Sequence, residues 1–119
     1  MFEFRKYKVP QGKKKTRHPK LIVDEDHEEF GFMGLTHSKA KGKGHNNFPL
    51  IDNPQLDKYG NRLPNKNPYE LNEDTGIYLR RKVEYDIKEN FGDILLDYSL
   101  SLNDKERVKE FIKNKTRKH

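Results

Sequence analysis

The stretch KLIVDEDHEEFGFMGLT, residues 20–36, decides the fold. Its opening residues are apolar and rich in β-branched side chains, which is typical of a strand. The charged segment 24–29 predicts a tight, solvated turn, and residues 30–36 predict the returning strand. Two glycines within that second strand indicate a bulge or a close approach of another backbone. We therefore expect a β-hairpin as the best-defined unit of the chain.

Other short strands are expected on both sides of the hairpin. Residues 1–19 predict a short strand followed by a basic loop, and residues 48–51 predict a third strand. Apolar residues alternate over residues 77–87, which predicts one strand that can bend near Arg81. The same period of two returns over residues 94–100. The chain thus predicts about five short strands.

A polar stretch, a long loop and a helix complete the chain. Residues 38–47 are polar and rich in glycine, and residues 52–76 carry three prolines and two glycines. A loop of that length is uncommon in a small domain, so we expect residues 52–76 to be mobile. Residues 101–113 predict a helix, which either Ser101 or Asn103 can cap, because each has an acidic residue three positions later.

These elements predict a mainly β (α+β) fold. A small SH3-like barrel, or a curved antiparallel sheet, with a C-terminal helix is the economical architecture. Residues 20–113 then form one domain, preceded by a basic strand and loop over residues 1–19. Residues 114–119 form a basic tail.

Composition excludes several classes of protein. Only 31% of the 119 residues are hydrophobic and 37% are charged, although seven Phe and six Tyr can build a small core. The absence of cysteine excludes disulfides, a cysteine-based zinc site and a thiol nucleophile. No stretch has the roughly 20 apolar residues of a membrane span, and the basic N-terminus lacks the apolar segment of a signal peptide. We expect a cytoplasmic protein with no membrane contact.

The positive charge is concentrated near the N-terminus. The chain has 25 Lys and Arg against 19 Asp and Glu, and residues 1–20 carry eight basic residues against Glu3 alone. Such a distribution favours a nucleic-acid partner, because lysine and arginine displace counterions from phosphates. A basic tail that only maintains solubility is the alternative.

The hairpin brings two polar segments together. Antiparallel strands joined by a turn place the chain before the first strand beside the end of the second, so Arg17 and His18 should lie near Thr36, His37 and Ser38. A guanidinium, a hydroxyl and an imidazole can bind a phosphate and transfer a proton. Of the five histidines, His37 is the best acid–base candidate. An ordinary solvated hairpin end is the alternative.

No cofactor or metal is expected. The histidines lack the spacing of a metal site, and the glycine-rich stretch 39–45 matches neither a Walker loop nor a dinucleotide fingerprint. That stretch can instead lie along RNA as a flexible cationic loop, or serve as a solvated linker. The predicted RNA-binding residues are Lys13, Lys14, Lys15, His18, Ser38, Lys39, Lys41, Lys43 and His45.

Three segments together resemble the MazF/PemK toxins of toxin–antitoxin systems. KKTRHPKLIV, residues 14–23, resembles the basic loop that leads through Arg-Pro into a core strand in that family. FMGLTHS, residues 32–38, is similar to the end of the family's next strand. YLRRKVEYDIKENFGDILLDYSLSLNDKERVKEFI, residues 78–112, resembles its closing strand and terminal helix. The order of the segments matches over residues 13–113.

The resemblance implies an SH3-like barrel that acts as a dimeric, metal-independent endoribonuclease and is neutralised by an antitoxin protein. By position, Arg17 and Thr36 match the family's catalytic Arg and Thr, and His37 adds an acid–base group. The implied reaction is attack of a ribose 2′-hydroxyl on the adjacent phosphate of RNA. The alternative is a non-catalytic nucleic-acid-binding or protein-interaction module on the same fold, from a phage or mobile element.

Overall fold

The architecture is described from a computed structural model, over residues 1–10, 18–42, 45–65 and 76–117. These residues form nine strands, a short 3-10 helix at Lys88–Asn90 and one α-helix. The strands are β1 (Phe4–Tyr7), β2 (Lys20–Glu25), β3 (Glu29–Thr36), β4 (Ala40–Gly42), β5 (His45–Asn46), β6 (Phe48–Pro49), β7 (Tyr78–Leu79), β8 (Glu84–Ile87) and β9 (Phe91–Ile94), and the helix is α1 (Leu102–Ile112). Within this part of the chain, no helix has the length and apolar character needed to cross a membrane.

Seven strands form one antiparallel sheet around β3. The order is β6-β7-β3-β2-β1-β9, and β8 also pairs with β3. The first half of β3 pairs with β8, and Leu35 and Thr36 at its end pair with β7. β4 and β5 form a separate two-stranded antiparallel sheet.

The sheet is curved but open. β8 lies beside β3 and β9 lies beside β1, so β8 and β9 flank the β1–β2–β3 unit from opposite sides. In a flat sheet those two flanking positions would be about 19 Å apart. The 3-10 helix between β8 and β9 has only three residues and spans about 6 Å, so the sheet has to curl to bring the ends of β8 and β9 together. The expected mainly β class with a C-terminal helix is confirmed, as a curved sheet that does not close.

Hydrophobic side chains are buried on both faces of the sheet. Along β2, Leu21 and Val23 face one cluster and Ile22 faces the other, as the period of a strand requires. The larger cluster lies between the sheet and α1 and contains Phe4, Leu21, Val23, Met33, Leu35, Phe48, Leu50, Ile77, Leu79, Leu100, Val108 and Ile112. The smaller cluster is mostly aromatic and contains Tyr7, Ile22, Phe30, Phe32 and Phe91.

A buried carboxylate ties α1 to the chain that follows β6. The Oγ of Ser101 accepts a hydrogen bond from the N–H of Asp104 at 3.1 Å, which identifies Ser101 as the cap residue. The Asp104 side chain is fully buried and accepts hydrogen bonds from the backbone N–H groups of Ile51 (3.0 Å) and Asp52 (2.9 Å). Arg107 donates to the same carboxylate at 2.7 Å.

Several elements differ from their sequence predictions. The single strand expected over residues 77–87 is divided into β7 and β8, because the two parts pair with different halves of β3. The alternation over residues 94–100 does not continue as a strand, since the chain turns after β9. The polar stretch 38–47 contains β4 and β5. These strands were not predicted, because their residues show no alternation of hydrophobic and polar side chains.

The first part of the long loop is held by hydrogen bonds. Asn53 donates to the carbonyl of Pro64 at 3.0 Å, and Arg62 donates to the carbonyl of Asn53 at 3.1 Å. An isolated bridge between Gln55 and Tyr98 connects the loop to the chain after β9. Residues 66–75 lie outside the described part of the chain, and mobility of the loop stays a prediction.

Candidate functional site

The chain before β2 runs beside the end of β3. Lys20 pairs with Gly34, and the carbonyl of Pro19 accepts a hydrogen bond from the N–H of Leu35 at 3.1 Å. The pairing therefore continues past the start of β2, and His18 lies next to the end of β3. We call this region, formed by the start of β2 and the ends of β3 and β7, the hairpin end.

His18 has three cationic or titratable neighbours at the hairpin end. Its pKa is lowered from the usual value, first because part of the ring is withdrawn from water and then because Lys20, His37 and Arg80 add positive charge. His18 is therefore predominantly neutral at pH 7 and can accept a proton. The direction of this shift agrees with the strand pairing, which brings the segments of His18, Lys20 and His37 to the same end of the sheet.

Lys20 is a buried cation among aromatic rings. Its side chain is 5% exposed, and Nζ lies 5.2 Å from the ring centre of Tyr7 and 5.7 Å from that of Phe32. Burial lowers the pKa of Lys20, and the charge of Arg80 acts in the same direction, whereas Glu84 opposes the shift. A cation in so little water attracts an anion more strongly than a solvated one does.

The side chains of Arg80 and Lys20 both lie above Gly34 of β3. A Cβ atom on Gly34 would lie 3.4 Å from Nζ of Lys20 and 3.5 Å from Cδ of Arg80, so both side chains cover this point of β3. The backbone N–H of Arg80 donates to the carbonyl of Gly34 at 2.8 Å and fixes the start of the side chain. Two cations thus meet above one residue of the sheet, a suitable arrangement for a phosphate.

Thr36, His37 and Ser38 follow directly along the chain. Thr36 is buried, and its Oγ1 accepts a hydrogen bond from the N–H of Ser38 at 3.1 Å. His37 is exposed, and its Nδ1 lies 3.4 Å from the carbonyl oxygen of Gly76. In the tautomer that carries its hydrogen on Nδ1, this nitrogen donates to Gly76, and Nε2 is left for proton exchange with a substrate.

Part of the predicted site lies outside the described residues. This applies to Arg17, which is predicted to be catalytic, and to Lys13, Lys14, Lys15 and Lys43. For Lys41 and His45 only the backbone is described, in β4 and β5. Lys39 is half-buried and lies at the edge of a cavity beside β6. The functional roles given to these residues stay predictions.

Lys20 and Arg80 are not among the site residues predicted from the sequence. The signal for Lys20 was present, since in a strand it shares a face with the core residue Ile22, and a lysine at a core-facing position is unusual. Arg80 carries no comparable signal. Its place at the hairpin end depends on the pairing of β7 with the end of β3, which joins residues more than forty positions apart.

The described residues contain no group of three or more His, Asp or Glu side chains arranged to hold a metal ion. Comparison with known proteins adds no relative: no family model, no curated protein and no solved structure matches the chain.

Proposed function

We propose that the protein is a metal-independent endoribonuclease, an RNA-cleaving toxin of the MazF/PemK kind, that acts at the hairpin end. One observation carries the proposal: the pairing of residues 19 and 20 with the end of β3 brings the segments of His18 and His37 together, beside the two cations Lys20 and Arg80 that lie over Gly34. Phosphodiester transfer needs one group that accepts a proton, one that donates a proton and positive charge near the phosphate. The hairpin end contains all three.

The reaction uses the RNA's own 2′-hydroxyl as the nucleophile. His18 accepts the hydroxyl proton while the 2′-oxygen bonds to phosphorus, and the bond from phosphorus to the 5′-oxygen breaks. His37 donates a proton to that leaving oxygen. The products are a 2′,3′-cyclic phosphate and a 5′-hydroxyl, and Lys20 and Arg80 stabilise the charge that develops on the phosphate oxygens. No metal ion is needed, because side chains supply the positive charge.

The resemblance to the toxin family adds further parts to the proposal. Arg17 would stabilise the same charge, and Thr36 would position a phosphate oxygen. An antitoxin protein and a second copy of the chain would be the partners, in the cytoplasm. The second candidate function is a non-catalytic nucleic-acid-binding module. Lys20 and Arg80 favour it equally, because they would bind a phosphate in either case, but it does not require the two histidines.

The products of RNA incubation test the proposal. We expect the purified protein to cut a mixed RNA in the presence of EDTA and to leave 2′,3′-cyclic phosphate and 5′-hydroxyl ends, which end-mapping identifies. DNA of the same sequence should stay intact, because it lacks the 2′-hydroxyl. Binding without cleavage would favour the non-catalytic module. Cleavage that stops in EDTA would refute the metal-independent mechanism.

RNA binding should weaken steeply with salt. If the six lysines Lys13, Lys14, Lys15, Lys39, Lys41 and Lys43 each neutralise one phosphate, the logarithm of the binding constant should fall against the logarithm of salt concentration with a slope of about −4. Fluorescence anisotropy with a labelled single-stranded RNA measures the slope, using a His37→Ala protein because it should cut the RNA far more slowly than the unmodified protein. A flat dependence would exclude these lysines from the interface and would favour a protein partner.

A further inference from the structure

A second cationic surface lies between β6, β7 and α1. It includes a cavity of about 320 Å³, which we call the Phe48 cavity. Its lining includes Lys39, Asn47, Phe48, Tyr78, Arg81 and Arg107. This volume falls near the lower end of the range for small-molecule sites, roughly 300–1,000 Å³.

The guanidinium of Arg81 is held in place at this cavity, where it can bind an anion. Its Nε donates to the carbonyl of Asn46 at 2.7 Å, and its guanidinium carbon lies 5.8 Å from the ring centre of Phe48 and 5.2 Å from that of Phe111. Within the described residues, no carboxylate lies within salt-bridge distance of Arg81. A fixed guanidinium without an acidic partner is suited to binding a phosphate.

The charge around Arg81 is positive on two sides. Arg81 also lines an adjoining hollow with Lys82, Phe111 and Lys115, and the described linings of the two cavities contain no acidic residue. Arg107 contributes less to this field, because it forms a salt bridge with the buried Asp104 at 2.7 Å. Of the two arginines that line the cavity, Arg81 is therefore the better one for binding an anion.

Asn47 supplies a buried hydrogen-bond acceptor at the same cavity. Its side chain is fully buried, and its Nδ2 donates to the carbonyl of Ser38 at 2.8 Å, which fixes the orientation of the amide. The Oδ1 atom of Asn47 accepts no hydrogen bond from any described residue. A buried acceptor in that state is costly, and a ligand N–H group would satisfy it.

We propose that the Phe48 cavity binds one nucleotide of a single-stranded RNA, with the phosphate on Arg81 and an N–H group of the base on Oδ1 of Asn47. This inference rests on the proposed function for its ligand, and it adds a place for a nucleotide next to the cleaved bond. The cavity is close to the hairpin end along the chain. Ser38, whose carbonyl accepts the hydrogen bond from Asn47, directly follows His37, and the next residue, Lys39, lines the cavity. Phosphate-binding cations beside aromatic side chains are a common arrangement in proteins that bind single strands.

Small ligands test the cavity without any cleavage step. The unmodified protein is titrated with the four ribonucleoside 5′-monophosphates and with ribose 5-phosphate, and binding is followed by backbone NMR shifts. We expect the shifts to centre on residues 46–48 and 81. The base N–H should make at least one nucleotide bind about tenfold more tightly than ribose 5-phosphate.

A pair of charge-matched variants locates the phosphate. Arg81→Gln should weaken nucleotide binding at least about tenfold, because a charge-assisted hydrogen bond is lost. Lys58→Gln removes the same charge from an exposed position in the loop 53–65 and should leave the affinity unchanged. Because Arg81 covers two aromatic rings, its variant is checked for folding by circular dichroism. If it does not fold, the shift map of the unmodified protein decides.

Three results would overturn the cavity proposal: equal affinity for ribose 5-phosphate and every nucleotide, equal losses in the two variants, or shifts centred elsewhere. The RNA cleavage assay, run on the same preparation, separates the two proposals. Nucleotide binding at the cavity with uncut RNA would reject the endoribonuclease and keep the cavity. Cleavage of RNA by the unmodified protein, with no nucleotide bound at the cavity, would reject the cavity alone.

Discussion

Replacing His37 with alanine should lower the rate of RNA cleavage by about 10²–10⁴-fold, the contribution typical of one acid–base group. His37 is exposed and its ring nitrogen lies 3.4 Å from a single backbone carbonyl, that of Gly76. Truncation of such a side chain changes the free energy of unfolding by no more than about 0.5 kcal/mol. Single-turnover cleavage of a labelled RNA measures the rate, and anisotropy should show that RNA affinity is kept.

A matched control is available in the turn between β2 and β3. His27 is exposed there and remote in sequence from both segments of the hairpin end, so His27→Ala should cleave RNA at the parental rate. Equal rates for His37→Ala and the unmodified protein would remove the acid role of His37. The non-catalytic module would then be the better account of the cationic surface.

The pH dependence of the same reaction reports on His18. Its pKa is lowered, so the neutral form that accepts a proton persists to a lower pH than in an ordinary histidine, whose pKa is about 6.5. The cleavage rate should therefore fall on the acid side only below about that value, as His18 becomes protonated. The lowered pKa of His18 also makes the free energy of unfolding depend on pH. His18 does not change this free energy above the pKa that it has in the unfolded chain, and it lowers it as the pH drops below that value, because the unfolded chain then binds the proton more tightly.

The strongest local patterns predicted the centre of the fold. β2 and β3 each carry a clear apolar pattern on either side of a charged turn, and Ser101 has the acidic residue of a capping motif three positions later. These features depend on residues close together in the chain. Local sequence is sufficient for them, because propensity, turn chemistry and pattern agree.

Features that depend on distant pairing were not predictable in the same way. The alternation over residues 77–87 is real, but the division into β7 and β8 follows from two separate pairings with β3. Arg80 reaches the hairpin end through one of those pairings. Likewise, the hairpin predicted that His18 would lie near His37, whereas the two cations above Gly34 become apparent only when β2, β3 and β7 lie side by side.

Asp104 shows the same limitation in the core. In the sequence it is an ordinary acidic residue in the first turn of a helix, and nothing nearby indicates that it is buried. The structure places it against the chain after β6, where it accepts hydrogen bonds from two backbone N–H groups more than fifty residues away. Replacing it therefore has a much larger expected effect than its position in the helix suggests.

Asp104→Ala should lower the free energy of unfolding by about 3–5 kcal/mol, the cost of breaking a buried ion pair by removing one partner. The N–H groups of Ile51 and Asp52 would lose their acceptor, and the guanidinium of Arg107 would lose its carboxylate. Urea denaturation should show a lower midpoint with little change in slope. Asp104→Asn keeps one acceptor oxygen and should lose less, about 1–3 kcal/mol.

Asp97→Ala is the control for this prediction, because Asp97 is exposed in the turn after β9 and its removal should change stability by no more than about 0.5 kcal/mol. If Asp104→Ala and Asp97→Ala unfold at the same urea concentration, the buried carboxylate does not hold α1 against the sheet. The expected order of stability is parent and Asp97→Ala, then Asp104→Asn, then Asp104→Ala. That order follows from the number of hydrogen-bond donors that each substitution leaves without an acceptor in the core.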